Sequence, residues 1–222
     1  MSRAVIAIDG PAASGKSTVA SRIAAELRIP YVNTGNMYRA VTWLIQRAAL
    51  DLADEAGIRK LLEGTRLEYH PDQNGTFRLL VNGEDPGGAL RAPEVAAQVS
   101  PVAALPYVRE WLKGIQRAAA DDGMIVMEGR DIGTEIFPDA KWKFFVTASA
   151  EVRARRRLAQ SSENFSGATL AQVAAAIAER DRIDSTRTVA PLRPAEDSIR
   201  IDSSDLTIEE VVGAIIKQVR EQ

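Results

Sequence analysis

The chain has 222 residues, 45% of them hydrophobic and 26% charged, with a formal net charge of −2. That length suits one large domain or a domain with sub-domains, and the near-neutral charge argues against a general nucleic-acid or membrane-surface binder. Cysteine is absent, which removes disulfides, thiolate metal sites and a thiol nucleophile, and no apolar run approaches the ~18 residues that mark a membrane span.

Val5 to Asp9 is a short apolar run rich in β-branched residues, read as a strand. It starts too early to leave room for a signal peptide, so a cytoplasmic protein is expected. Gly10-Pro11-Ala12-Ala13-Ser14-Gly15-Lys16-Ser17, followed by Thr18, fits the spacing G-x-x-x-x-G-K-[ST] of a phosphate-binding loop. Glycines let successive backbone N–H groups point into one concavity, and the next helix turns its positive end to the same spot. Lys16 can reach the β- and γ-phosphates of a nucleoside triphosphate, and the Ser17 hydroxyl can ligate Mg²⁺.

A first helix is predicted over about 15–27, with Val19, Ile23, Ala24 and Leu27 on one face. Tyr31-Val32-Asn33 is a short buried strand. A second helix follows, with Met37, Val41, Leu44, Ile45 and Ala48 as its stripe and Tyr38 and Arg39 beside it near a strand end, where open α/β sheets bind ligands. Residues 51–65 read as a short acidic helix. Arg66–His70 and Thr76–Val81 read as a small antiparallel insertion, with turns at 71–75 and at Asn82-Gly83. His70, the only histidine, reads as a solvated loop residue at its tip.

Pro86-Gly87-Gly88 reads as a loop, and a helix from Pro93 to Val99 is expected to be interrupted by Pro101. Pro106 suits the first position of a longer helix, with Val108, Trp111, Leu112 and Ile115 inward, Arg109 off that stripe and Asp122-Gly123 at its end. Met124–Met127 is fully apolar, as a parallel strand covered on both faces should be, and runs into Glu128-Gly129-Arg130-Asp131. Trp142–Val146 is another buried strand. Ala150–Gln160 is an Arg-dense helix with Arg153, Arg156 and Arg157 on one face. Ser161–Gly167 is polar and reads as a mobile stretch. Thr169 caps a helix whose Leu170, Val173, Ala174 and Ile177 face inward, while Arg180, Asp184 and Arg187 form a separate polar stripe. Ile199–Asp202 and Ile208–Val219 are the last strand and helix.

This order predicts an α/β fold: a five-stranded parallel sheet of the phosphate-loop type with helices on both faces. Of the 28 basic residues only six are lysine, and eight arginines fall between 153 and 193. Guanidinium grips phosphate with a planar fork, so the clustering points to a second phosphate.

The segments Glu128-Gly129-Arg130-Asp131-Ile132-Gly133-Thr134, Asn33–Arg39, Glu179-Arg180-Asp181 and Arg187-Thr188-Val189-Ala190-Pro191-Leu192, together with the phosphate loop, resemble the bacterial cytidylate (CMP/dCMP) kinases of pyrimidine nucleotide metabolism. The resemblance covers essentially the whole chain. It implies direct, in-line transfer of the γ-phosphoryl of ATP to CMP or dCMP with Mg²⁺, by a cytoplasmic monomer that takes no nucleic acid or membrane partner. The implied layout is a core of about 1–33, 101–152 and 188–222. To it are added a monophosphate-binding region of about 34–100, with its β insertion near 66–85, and a helical lid of about 153–187. Gly10 to Thr18 would hold the ATP phosphates. Arg39, Arg130 and Arg187 match positions that hold the acceptor phosphate, Ser100, Arg109 and Asp131 those near the cytosine edge, and Arg180 and Asp184 those near the sugar. Arg153 and Arg157 match lid arginines over the transferring group, and Thr34 and Tyr38 belong to the acceptor site. Many members have Asp where this chain has Glu128, and some have Ser at the place of Thr34.

Other readings are a kinase for UMP, AMP or a small sugar or acid, a nucleotide switch, and a nucleic-acid-dependent ATPase. The Arg130-Asp131 pair and the insertion disfavour the first, a missing N-K-x-D the second, and the net charge the third.

Overall fold

A computed structural model describes residues 3–71, 77–121, 123–159 and 168–221. The centre of the fold is β1 (Arg3–Asp9), paired in parallel with β5 (Ile125–Gly129) on one side and β6 (Ala140–Thr147) on the other. The edges are β2 (Tyr31–Asn33) and β7 (Ile199–Asp202), giving the order β2-β5-β1-β6-β7, all parallel. Parallel neighbours need crossovers, and helices supply them: α1 (Lys16–Leu27), α2 (Thr34–Arg47), α3 (Glu55–Glu63), α4 (Pro93–Ala104), α5 (Pro106–Ala118), α6 (Ala150–Ala159), α7 (Leu170–Thr186) and α8 (Ile208–Glu221).

Val5 to Ile8 are entirely buried because both sheet faces are covered. Side chains alternate along a strand. Val5 and Ala7 therefore enter one core with α2, α4 and α5, and Ile6 and Ile8 enter a second with α1 and α8. Leu112 of α5 is fully enclosed in the first. Leu112→Ala is expected to cost about 2–5 kcal/mol by transfer loss plus cavity, read as a lower midpoint in urea unfolding.

The insertion is a two-stranded antiparallel sheet of β3 (Leu67–Pro71) and β4 (Phe77–Val81), registered from Leu67 opposite Val81 to Pro71 opposite Phe77. After β4 the chain reverses at Asn82 and Gly83, both left-handed (φ 53° and 83°), the pair of residue types that tolerates this best. The turn expected over 71–75 falls mostly outside the described residues, as do Thr76, Asp122, Gln160 and the polar stretch 161–167.

Several expectations need correction. Residues 87–91 are not loop but a 3-10 turn. The helix over 51–65 is confined to Glu55–Glu63, because the Asp54 side chain accepts from Gly57 N and starts it there. Pro101 does not interrupt its helix. Pro101 and Ala97 both face solvent, so the carbonyl that loses its donor meets water, while Val99, Val102 and Ala103 are buried and hold the helix down. Arg109, expected off the inward stripe, is buried. Leu170 and Ala48 are exposed rather than inward. His70 lies within β3 rather than in a loop, and its side chain is exposed. Residues Ile132–Ile136 form a single π-helical turn that no sequence pattern announced.

Candidate active site

The carboxyl ends of β1, β5 and β2 open on one cleft of about 460 Å³, where ligands bind in open α/β sheets. The phosphate loop forms its floor. Gly10 has φ +155°, and a Cβ there would stand 2.0 Å from Val146 O, so only glycine lets the chain pass β6. Gly15 at φ +88° starts α1 in the left-handed region. Lys16 is the first residue of α1, and its Nζ donates to Pro11 O at 2.9 Å, folding back across the loop. Burial, and then the nearby Arg130, push its pKa down to about 7. Ala12, Ala13, Lys16, Ser17 and Thr18 line the cleft, whereas Gly10, Pro11, Ser14 and Gly15 shape the loop from behind.

The same cleft is lined by Arg39, Arg91, Arg130, Arg157, Arg180 and Arg187, and by three carboxylates, Glu128, Asp131 and Asp184. A chain of net charge −2 has thus gathered positive charge in one concavity, which attracts and holds polyanions. Burial, with mutual repulsion among the arginines behind it, lowers Arg39 and Arg157 to about 10 and Arg180 to about 9. All remain charged at neutral pH, and the like-charge part of each shift is one that a bound anion would relieve.

Arg180 and Asp184 of α7 face this cluster together, and Arg187 joins them from the extended residue just past the helix end. Asp184 accepts from Arg130 Nε at 2.9 Å, and Arg180 Nε donates to Ser100 Oγ at 3.3 Å. Burial opposes ionisation of Asp184, but Arg130, Arg180 and Arg187 outweigh it and hold its carboxyl below the usual range. Asp131 is tied to Arg109 by a short hydrogen bond, and Arg187 NH2 lies 3.4 Å from its other oxygen without hydrogen-bond alignment. Burial raises the Asp131 pKa despite both guanidinium groups. Arg109 does not line the cleft. It sits behind Asp131, donates to Ala103 O and lies over the Tyr38 ring at 5.5 Å. Thr34, Tyr38 and Ser100 line the cleft itself, and Thr34 Oγ1 donates to Glu128 O.

The three arginines of α6 part company. Arg157 reaches the cleft. Arg153 instead donates to Ala12 O at 3.1 Å, to Ala148 O and to Asp181 Oδ2 at 2.5 Å, while Asp181 Oδ1 accepts from Ala12 N. Arg156 holds Ser14 O and both oxygens of Ser203. Arg153 and Arg156 therefore grip the phosphate loop from outside, and of the two lid arginines expected over the cleft only Arg157 lines it.

A model described as cytidylate kinase matches residues 6–221. The chain belongs to the cytidylate kinase family. A cytidylate kinase of Geobacillus kaustophilus (strain HTA426) is 46% identical over 220 residues, 99% of this chain and 98% of that one. A bifunctional pantoate ligase/cytidylate kinase of Prochlorococcus marinus (strain MIT 9313) is 48% identical over 219 residues, 98% of this chain. The chain spans 43% of that protein's length, less than half. The crystal structure of a shikimate kinase from Bacteroides thetaiotaomicron shares the fold at 13% identity, with a TM-score of 0.50 and 98% of each chain covered.

Within this member of the cytidylate kinase family, Arg91 escaped sequence reading because the glycines before it resembled open loop. The 3-10 turn instead brings it to the cleft, and Leu90 O accepts from Arg39 NH1. Glu128 was only half legible. Its Oε1 accepts from Tyr31 OH at 2.8 Å, and Tyr69 of β3 donates to Asn33 O at 2.5 Å beside it. Burial and the Glu128 charge raise both tyrosines far above their ordinary pKa, so both stay donors. Glu128 Oε2 is buried in the cleft wall without a partner.

Proposed function

We propose that the chain transfers the γ-phosphoryl group of ATP to CMP or dCMP, giving ADP and CDP or dCDP. The observation that carries this reading is the single cleft in which a phosphate loop faces a second, arginine-lined site with a buried carboxylate at its end. Gly10 to Thr18 hold the donor phosphates. Arg39, Arg130 and Arg187 hold the acceptor phosphate, Arg180 and Asp184 the sugar, and Ser100 and Asp131 the base, with Arg109 holding Asp131 from behind and Thr34 and Tyr38 forming the wall. The attacking oxygen of a nucleoside monophosphate is already anionic, so no strong general base is needed. Catalysis then rests on positioning and on charge neutralisation by Lys16, Arg157 and their neighbours.

The residues present fit a magnesium ion carried by ATP. Ser17 faces the cleft, and Glu128 Oε2 is a buried acceptor with no partner. When bound, the ion neutralises charge on the phosphates. No helix among the described residues is long and apolar enough to cross a membrane, and a cytoplasmic monomer without nucleic-acid partners is the corresponding proposal. Residues of about 34–100 and 153–187 are assigned as the parts that close over the two substrates on the core of about 1–33, 101–152 and 188–222, because water must be kept from ATP.

A coupled ADP-release assay with CMP, dCMP, UMP and AMP tests the reading. CMP and dCMP are expected to have the highest kcat/KM, and a preference for UMP or AMP would overturn it. A second test uses Lys16. Its lowered pKa leaves it mostly neutral at pH 8, and a triphosphate favours the charged form. ATP binding at pH 8 should therefore take up on the order of one proton, falling away below pH 7 where Lys16 is already protonated. Calorimetry in buffers of different ionisation enthalpy measures it, and Lys16→Met should abolish it.

A further inference from the structure

β1 ends at Asp9 and β5 at Gly129, side by side in the sheet. The phosphate loop leaves the first end and Arg130-Asp131 the second. Asp9 is 4% exposed, and its side chain serves the neighbouring loop rather than its own. Oδ1 accepts from Ile132 N and Oδ2 from Gly133 N, both at 2.8 Å. These amides open the π-helical turn Ile132–Ile136, where the turn itself supplies no acceptor. The turn closes back on Asp131, whose carbonyl accepts from Glu135 N and Ile136 N. Its far end is held from α5, where Arg117 donates to Ile136 O at 3.0 Å and Glu135 O at 3.2 Å. Space around it is tight: a Cβ at Gly133 would meet Lys143 at 3.3 Å and Asp9 Oδ2 at 3.5 Å.

We propose that Asp9 is a positioning residue for the acceptor nucleotide: it launches the donor loop with its backbone and, with its carboxylate, fixes the Arg130-Asp131 segment at a set distance from that loop. The inference rests on the reading of Arg130 and Asp131 as acceptor-binding residues. Burying a carboxylate is unfavourable, and here burial pushes the Asp9 pKa up to about 7 against its two amide donors, with Asp131 adding to the rise and Lys16 opposing it. A group held at that cost between two substrate loops has a geometric task, since misplacing a reacting group by about 1 Å can cost on the order of 10²-fold in rate.

Two variants act on the turn from opposite ends. In Asp9→Asn the amide nitrogen confronts one of the two donors. Arg117→Met releases the far carbonyls without touching the phosphate loop. Both are expected to raise KM for CMP, about tenfold for Asp9→Asn and less for Arg117→Met, and to lower the CMP-over-UMP preference. ATP affinity, measured by calorimetry without acceptor, should stay within twofold of wild type. Unchanged acceptor preference in both variants, or ATP affinity falling as far as CMP affinity in Asp9→Asn, would overturn the proposal. If Asp9→Asn does not fold, Arg117→Met decides alone. A wild type without cytidine preference would sink the functional reading instead, and the same comparison would then be made with its preferred acceptor.

Discussion

Replacing Lys16 with alanine is expected to lower kcat by about 10³-fold, the size of losing a donor aimed at developing charge, while CMP affinity changes less than threefold. Lys16 begins α1 and its side chain folds over the loop onto Pro11 O, on what the proposed function makes the donor side of the cleft. Charge shifts among the β- and γ-phosphate oxygens as the phosphoryl group moves, so a cation there acts more on the transition state than on the bound substrate. No other lysine lines the cleft among the described residues; the remaining basic groups that line it are arginines. Lys16→Arg should not restore activity, because a planar fork cannot occupy the compact position that the loop encloses. Steady-state kinetics and a CMP titration check the pair of numbers. Comparable losses in turnover and CMP binding would count against separate donor and acceptor halves.

Lys16 and the loop around it were legible because their spacing is dictated by backbone geometry, and the runs Val5–Ile8 and Ile125–Met127 because a doubly covered sheet favours unbroken apolar stretches. Arg180 and Asp184 were legible for a similar reason: helical spacing puts both on one face, and α7 turns that face to the cleft, while Arg187 reaches it from the extended residue just past the helix end. What the sequence left dark depends on tertiary neighbours. Arg153, Arg156 and Arg157 share a face by spacing, yet Arg157 reaches the cleft while Arg153 and Arg156 hold loop carbonyls. The π-helical turn over 132–136 has no periodic signature, since its first amides are satisfied by a carboxylate 123 residues earlier in the chain. Pro101 looked like a helix end because the pattern could not reveal that its carbonyl partner faces water.

Asp131→Ala is expected to have two large and separable effects, because the carboxylate holds two buried arginines and, in the proposed function, also reads the base. It lies 4% exposed between Arg109 and Arg187. Removing it takes away the carboxylate that Arg109 bonds and that Arg187 shares with Asp184; breaking a buried pair costs about 3–5 kcal/mol and should appear as a lower urea midpoint. On the substrate side, a carboxylate accepts from the 4-amino group of cytosine and repels the O4 of uracil. Its loss should raise KM for CMP by about 10²-fold and bring kcat/KM for CMP and UMP close together, as when a site built to hydrogen-bond a substrate loses its partner. Asp131→Asn separates the effects. It keeps the shape, and its amide can accept from cytosine or donate to uracil, so the CMP-over-UMP preference should fall towards unity. A preference that survives both substitutions would remove Asp131 from base recognition and leave it as the counter-ion that keeps Arg109 and Arg187 together.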